Sequence, residues 1–269
     1  MELYGAAKGR SDQFERLVEV ADQGCIVMNA LLGKLDVRIA PAWPSESASV
    51  MTPRALLFDA YGTLFDVHAV VLQGSHYINV DTEALATLWR QRQLEYTWLL
   101  SLMGHYEDFW SVTKAALHSS SQQLQIELEA AQRDGLLQAY LAPPVFPEVK
   151  PALASLKGFQ LAILSNGSPK KLAAAVRHNG LDSMFGEIIS VDRAQVYKPS
   201  PRAYALGTET LGLRAKDILF VSSNWWDAWG AKAFGYNVCW CNRPNARMEF
   251  SEPDLVVTGL GQIADLLAG

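Results

Sequence analysis

The sequence predicts an α/β fold in which a helical cap subdomain is inserted after the first strand of a parallel-sheet core. Three observations predict this fold. A short apolar run ends in an acid and a glycine turn at residues 54–62, and no convincing strand appears between about residues 81 and 142. The rest of the chain alternates between strand-like and helix-like segments, which is typical of right-handed βαβ units.

Composition limits the possible class of protein. The 269 residues fit one large domain or a core with an inserted subdomain. A net charge of -5 argues against a nucleic-acid binder, which usually carries a basic surplus. The 3 cysteines do not indicate a disulfide framework or a zinc site. No apolar window is long enough for a membrane span and no signal-peptide pattern is present, so we expect a cytoplasmic protein.

Residues 1–50 differ from the rest of the chain. They end in PAWPSESASV, which reads as a Pro/Ser-rich linker, and MTPRALLFDAYG then resembles a natural protein start. The segment is either an appended extension or the product of an upstream start codon, and the sequence leaves both open. We expect it to be non-essential.

The core is predicted over residues 51–67 plus 145–269, and the cap over residues 68–144. RALLFD is the first buried strand, because parallel strands that are covered on both faces read as continuous apolar runs. In the cap, Asp81 and Thr82 can begin a helix that Gly104 ends, and two more helices are expected over Phe109–Leu117 and Leu124–Tyr140.

The segment after APPVFPEV predicts the rest of a Rossmann-like parallel sheet. Proline breaks the helical run here. The expected strands are QLAILS, EIISV, ILFVSS and NVCWCN. The expected helices are SPKKLAAAVRHNG, SPRAYALGTETLG, DAWGAKAFG and LGQIADLLAG.

Polar residues follow the predicted strands where a site would form, at their carboxyl ends. The first strand ends at Asp59, the second in SNG at 165–167, and the fourth in SSN at 222–224, with Asp227 close behind. Lys198 follows the third strand. One polar strand end is most often a turn or a helix cap, but several together predict a shared crevice.

The motifs DAYGTL, LSNG, YKPSP and VSSNWWD, in that order, resemble the haloacid dehalogenase superfamily from about residue 52 to the C-terminus. The resemblance implies a hydrolase whose nucleophile is Asp59. Most members are phosphatases that carry a second acid in the first motif and bind magnesium through acids of the first and last motifs. Here Tyr61 and Ser223 stand at acid positions, and only Asp227 remains of the last pair.

These departures favour attack on carbon. Mg²⁺ prefers octahedral oxygen ligation with carboxylates, and a leaving alkoxide needs a proton donor, whereas halide leaves without protonation. The chain is therefore similar to the L-2-haloacid dehalogenase branch, which implies conversion of (S)-2-haloacids to (R)-2-hydroxyacids through an ester on Asp59, with no metal or cofactor. The alternatives are a metal-dependent phosphatase or phosphonate hydrolase of the superfamily, and a non-catalytic binding module.

The same resemblance implies roles for individual residues and a possible homodimer. Arg90, on a cap helix, would bind the substrate carboxylate or the departing halide, whereas Arg92 has no matching position and reads as surface. Leu94 and Phe109 could join Trp226 around the alkyl and halogen part, although core packing explains all three equally well. The predicted catalytic residues are Asp59, Thr63, Lys198, Tyr204, Ser222, Asn224 and Asp227. The predicted substrate-binding residues are Ala60, Tyr61, Arg90, Ser165, Asn166 and Trp226.

Overall fold

The computed structural model describes residues 52–74, 82–247 and 252–268. The chain divides into two units between Met51 and Thr52, and the fold below belongs to the second unit. The predicted N-terminal extension, its linker and the predicted helix cap at Asp81 lie outside the described residues.

A six-stranded sheet with the order β3-β2-β1-β4-β5-β6 forms the core, and all of its strand pairs are parallel. The strands are β1 Ala55–Phe58, β2 Gln160–Ser165, β3 Glu187–Ser190, β4 Ile218–Ser222, β5 Asn237–Cys241 and β6 Leu255–Val257. The predicted fold class is confirmed. Every residue of β1 is buried, as its unbroken apolar run predicts.

Helices cover the sheet and fill the long connection between β1 and β2. Those of the connection are α1 Val67–Gly74, α2 Thr82–Leu102, α3 Phe109–Gln123, α4 Ala130–Leu141 and α5 Val149–Ser155. The others are α6 Pro169–His178, α7 Pro201–Leu211, α8 Trp225–Phe234 and α9 Ile263–Ala268. Among the described residues, none of these helices is both long and apolar enough to cross a membrane.

Four elements differ from the sequence prediction. The third cap helix begins at Ala130 and not at Leu124, because Glu129 and Gln132 form a capping box that starts the helix there. Gln125, with φ 55°, turns the chain before it. The preceding helix continues to Gln123, past its predicted end. Strand β6 and helix α5 were not predicted.

The order of the strands determines where on the sheet the site forms. Strand β1 lies between β2 and β4, and Phe58 is in register with Ile163 on one side and Val221 on the other. The residues that follow these three strands therefore meet at one edge of the sheet. Parallel α/β sheets form their ligand crevices at this edge.

Candidate active site

Asp59 leaves β1 at the centre of this edge. Its backbone N–H donates to the carbonyl of Val221 at 2.9 Å, so the strand pairing extends to the residue itself. The chain then turns sharply at Gly62, whose φ of +91° is a conformation that favours glycine. The turn leaves the Asp59 side chain at the edge of the sheet, where only 5% of the residue is exposed.

Lys198 joins two buried carboxylates. Its ammonium donates to Oδ1 of Asp59 at 2.8 Å, to Oδ2 of Asp227 at 2.8 Å and to the carbonyl of Leu164 at 3.1 Å. All three ammonium protons thus have acceptors. Burial lowers the pKa of Lys198, but the carboxylates of Asp227 and Asp59 outweigh it and the net shift is upward.

The second oxygen of Asp59 accepts two further hydrogen bonds. The Thr63 hydroxyl donates to Oδ2 at 2.9 Å, and the Asn224 amide donates to the same oxygen at 2.9 Å. That amide also donates to the carbonyl of Tyr61 at 3.1 Å. Both carboxylate oxygens are therefore held in a fixed orientation by residues from different strand ends.

Asp227 is fixed by the remaining predicted catalytic residues. The Tyr204 hydroxyl donates to its Oδ1 at 2.8 Å, and the Ser222 hydroxyl donates to its Oδ2 at 3.0 Å. Burial raises the pKa of Tyr204 well above its usual value, and the Asp227 carboxylate adds to the shift, so the phenol remains a donor. The structure thus brings together all seven predicted catalytic residues.

Three of the predicted substrate-binding residues, Ser165, Asn166 and Ala60, lie beside this group. Ser165 and Asn166 line a narrow crevice together with Asp59. Asn166 also accepts the backbone N–H of Lys198 at 3.0 Å, and the Ser165 hydroxyl accepts the N–H of Gly167 at 3.1 Å. Ala60 is fully buried at the start of the turn. The β1 and β2 ends thus form one wall of the crevice.

The cap supplies the facing wall. Arg90 and Leu94 from α2 and Phe109 from α3 line the same crevice, with Tyr61 and Trp226 from the core. Arg90 donates to the carbonyl of Tyr61 at 3.3 Å, which places the guanidinium at the loop that follows β1 and carries Asp59. Every predicted substrate-binding residue except Ala60 lies on the crevice.

Tyr61 is a poor acid in this setting. Burial raises the pKa of its phenol above the usual value of 10.0, and the ring packs against Phe109 and Tyr140. The residue at the second acid position of the motif is therefore a neutral aromatic side chain that forms part of the crevice wall.

Two arginines and a tyrosine show how far the sequence predicts the surroundings of the site. Arg92 lies apart from the site and bonds Glu95 and Gln123 on the cap surface. Tyr140 was not predicted, although its ring stacks on Tyr61 with centroids 5.8 Å apart. Arg243 was also missed, although it follows β5 as polar residues follow the other strands, and it donates to the Ser223 hydroxyl at 2.8 Å.

The carboxylates near Asp59 do not form a metal-ion cage. Asp227 is bridged to Asp59 through the Lys198 ammonium, so a divalent cation between them would have to displace it. Within residues 52–74, 82–247 and 252–268, no group of three or more His, Cys, Asp or Glu side chains is arranged to hold a metal ion. Mg²⁺ sites are normally built from such carboxylates.

A family model described as haloacid dehalogenase-like hydrolase matches residues 53–235. The chain belongs to this family. The resemblance carried by the four motifs is therefore confirmed, and the family match covers the nucleophile turn, the cap helices and all of the predicted site residues.

Characterised relatives in the family are close. The (S)-2-haloacid dehalogenase of Pseudomonas sp. (strain YL) is 46% identical over 79% of this chain and 94% of the relative. Haloacetate dehalogenase H-2 of Moraxella sp. (strain B) is 44% identical over 80% of this chain and 97% of the relative.

Solved structures in the family share the fold. L-2-haloacid dehalogenase from Xanthobacter autotrophicus is 39% identical with a TM-score of 0.75, and covers 81% of this chain and 99% of its own. The same enzyme with chloropropionic acid covalently bound is 37% identical with a TM-score of 0.73, and covers 81% of this chain and 99% of its own.

Proposed function

We propose that this protein hydrolyses (S)-2-haloalkanoic acids to (R)-2-hydroxyalkanoic acids and halide, through an ester on Asp59 and without a metal. The observation that carries the proposal is a buried carboxylate held by Lys198, Thr63 and Asn224 beside a neutral Tyr61. Relatives that are 40–46% identical carry the name (S)-2-haloacid dehalogenase. The covalent chloropropionic acid complex in the Xanthobacter enzyme supports the covalent step.

In the first step a carboxylate oxygen of Asp59 attacks C2 of the substrate opposite the halogen. The oxygen–C2 bond forms while the carbon–halogen bond breaks, and its electron pair leaves with the halide. A fixed orientation of both carboxylate oxygens favours such in-line attack. The geometry inverts once, so an (S)-haloacid gives an (R)-hydroxyacid.

In the second step water attacks Cγ of Asp59. The bond from Cγ to the ester oxygen breaks, one water proton ends on the product hydroxyl, and the other passes to solvent. We assign water positioning to Ser222, Asn224 and Asp227. Asn224 donates to the Asp59 carboxylate, and the Ser222 hydroxyl accepts from the Asn224 backbone and donates to Asp227. The protonated Lys198 then stabilises the negative charge that develops on the Asp59 oxygens.

We assign the substrate carboxylate to the core wall, to Ser165, Asn166 and the backbone N–H groups of Ala60 and Tyr61. Three of these residues, Ser165, Asn166 and Tyr61, line the crevice beside Asp59. Arg90 is then the cation available on the opposite wall, so we propose that it binds the departing halide. Trp226, Leu94 and Phe109 line the space left for the alkyl group and the halogen.

The division of the chain follows from this function. We propose that residues 51–67 and 145–269 carry the reactive groups, that residues 68–144 close over them as a cap, and that residues 1–50 are dispensable. We also propose a cytoplasmic enzyme that acts as a homodimer. Light scattering of the purified protein measures the oligomeric state, and a monomeric mass would refute the dimer.

Chloride release tests the proposed function. The purified protein should release chloride from (S)-2-chloropropionate in the presence of EDTA, yield (R)-lactate, and leave the (R)-substrate unconverted. Asp59→Asn is the matched control and should release no chloride, because an amide is a far weaker nucleophile. Hydrolysis of p-nitrophenyl phosphate that requires added Mg²⁺ would favour the phosphatase alternative, and haloacid binding without turnover would favour the binding module.

A further inference from the structure

Arg243 lies just beyond β5, beside the catalytic group but with no contact to Asp59 among its hydrogen bonds. Strand β5 pairs with β4, and Trp240 is in register with Ser222. Arg243 therefore leaves the same edge of the sheet as the other site residues. Its side chain is 19% exposed, which is low for an arginine.

The guanidinium of Arg243 joins two loops. Nη1 donates to the Ser223 hydroxyl at 2.8 Å and to the carbonyl of Gly62 at 3.3 Å, and Nη2 donates to the carbonyl of Thr63 at 2.9 Å. Gly62 and Thr63 belong to the loop after β1, and Ser223 to the loop after β4. The rigid guanidinium of Arg243 therefore fixes the distance between the loop after β1, which carries the nucleophile, and the loop after β4.

A third segment holds the guanidinium in place. Nε donates to the Glu148 carboxylate at 2.8 Å, and the Phe146 ring lies 3.8 Å below the guanidinium carbon. Charge pairing and stacking on an aromatic face are both interactions that suit arginine better than lysine. The orientation of Arg243 is thus set by groups that take no part in the reaction.

The connection to the nucleophile passes through Thr63. The backbone N–H of Ser223 donates to the Thr63 hydroxyl at 2.9 Å, so the proton of that hydroxyl is left for Oδ2 of Asp59, which accepts it at 2.9 Å. Arg243 contacts both partners of this relay, at the Thr63 carbonyl and the Ser223 hydroxyl. If the two loops separate, Thr63 and Asn224 can no longer both donate hydrogen bonds to Oδ2 of Asp59.

We propose that Arg243 is a positioning residue, which holds the loops after β1 and β4 in the register that lets Thr63 and Asn224 both donate to Asp59. This inference rests on the proposed function, because it concerns attack by the same carboxylate. Its effect is on the orientation of the nucleophile and not on substrate contacts. Removing the guanidinium should therefore lower kcat and leave KM largely unchanged.

Arg243→Ala and Arg243→Lys, compared with Arg214→Ala, test the proposal. Arg214 is an exposed arginine that pairs with Asp217 away from the site, and its variant should behave as wild type. Misplacement of a reacting group by about 1 Å can cost up to about 100-fold, so we expect kcat of Arg243→Ala to fall by about 10- to 100-fold. Arg243→Lys should recover only part of this, since an ammonium has three donors and no planar fork.

Chemical rescue separates positioning from general structural support. Added guanidinium ion at millimolar concentration should raise kcat of Arg243→Ala and leave wild type and Arg214→Ala unchanged, because it can occupy the vacated site between Gly62, Thr63 and Ser223. Thermal melts on the same samples monitor folding. If Arg243→Ala does not fold, the kcat of Arg243→Lys decides the question.

The proposal is overturned if a folded Arg243→Ala keeps the wild-type kcat, if its KM rises while kcat stays constant, or if guanidinium ion does not restore turnover. It is also overturned if Arg243→Lys, serving as the deciding variant, has wild-type kcat. These outcomes differ from failure of the proposed function, in which wild type itself releases no chloride from (S)-2-chloropropionate.

Discussion

The two walls of the crevice are built from different chemistry. The core wall is polar, and its reactive carboxylate receives donors from Lys198, Thr63 and Asn224. The cap wall is aromatic and apolar, with Arg90 as its cation on the crevice. Tyr61 belongs to the core chain but packs with the cap aromatics Phe109 and Tyr140.

This difference indicates a division of labour. A buried carboxylate needs compensating charge and hydrogen bonds, so the core wall is fixed in position and can tolerate little change. An apolar wall sets the shape and the dielectric of the space that the substrate occupies. Substitutions in the core should therefore reduce the rate of the chemical steps, and substitutions in the cap should change substrate preference.

The largest effect is expected from Lys198→Met. Loss of one fixed charge at a reacting group costs about 10²- to 10³-fold in kcat. The variant also leaves Asp59 and Asp227 buried without their cation, which should lower the free energy of unfolding by about 3–5 kcal/mol. Steady-state kinetics and denaturant unfolding measure both, and Lys170→Met, at an exposed lysine of α6, is the control. Wild-type kcat in Lys198→Met would contradict the assignment of the chemical steps to the core wall.

A smaller effect of a different kind is expected from Arg90→Lys in the cap. A charge-assisted hydrogen bond is worth about 1.5–3 kcal/mol, so kcat/KM should fall by about 10- to 100-fold. If Arg90 binds the halide, the loss should be greater for 2-chloropropionate than for 2-bromopropionate, because bromide needs less help to leave. Equal losses for both substrates would instead assign Arg90 to the carboxylate.

A shift in pH dependence is expected from Asp227→Asn. The pKa of Lys198 lies above its usual 10.5 because the two carboxylates outweigh burial. As long as the carboxylates are ionised, its ion pairs therefore stabilise the fold up to about pH 10.5 and are lost as the pH rises through the higher folded value. Removing one carboxylate should lower the pKa of Lys198, so the alkaline fall in kcat/KM should move to lower pH. An unmoved alkaline limb would show that Lys198 does not control it.

The smallest effect is expected from deleting residues 1–50, which belong to the unit before Thr52. Both walls of the crevice lie in the second unit, so kcat, KM and the melting temperature of the shortened chain should match those of the full chain. A clear loss of activity or folding would show that residues 1–50 are structurally required.

The two walls also differ in how far the sequence predicts them. The core wall is predictable because parallel strands bring their carboxyl ends together. The position of short polar motifs such as SNG and SSN in the fold therefore follows from the strands that they end. The cap wall depends on how helices pack. Tyr140 reaches Tyr61 only through the placement of α4, and no local pattern distinguishes it from a core tyrosine.

The missed elements have similar explanations. Strand β6 has three residues, of which only Val257 is buried, so it lacks the apolar run of the central strands. Helix α4 starts late because Glu129 forms the capping box, although serine or threonine is the usual residue at that position. Arg243 could have been predicted as a site residue, because it follows β5 in the same way as the other polar site residues follow their strands.

The covalent role of Asp59 is tested most directly by a single turnover in H₂¹⁸O, followed by mass spectrometry of the Asp59 peptide and of the product. If water attacks Cγ of an Asp59 ester, the label should appear in Asp59, and the hydroxyacid from that first turnover should be unlabelled. Label in the hydroxyacid after one turnover, with an unlabelled Asp59, would mean that water attacks the substrate carbon itself and would contradict the mechanism.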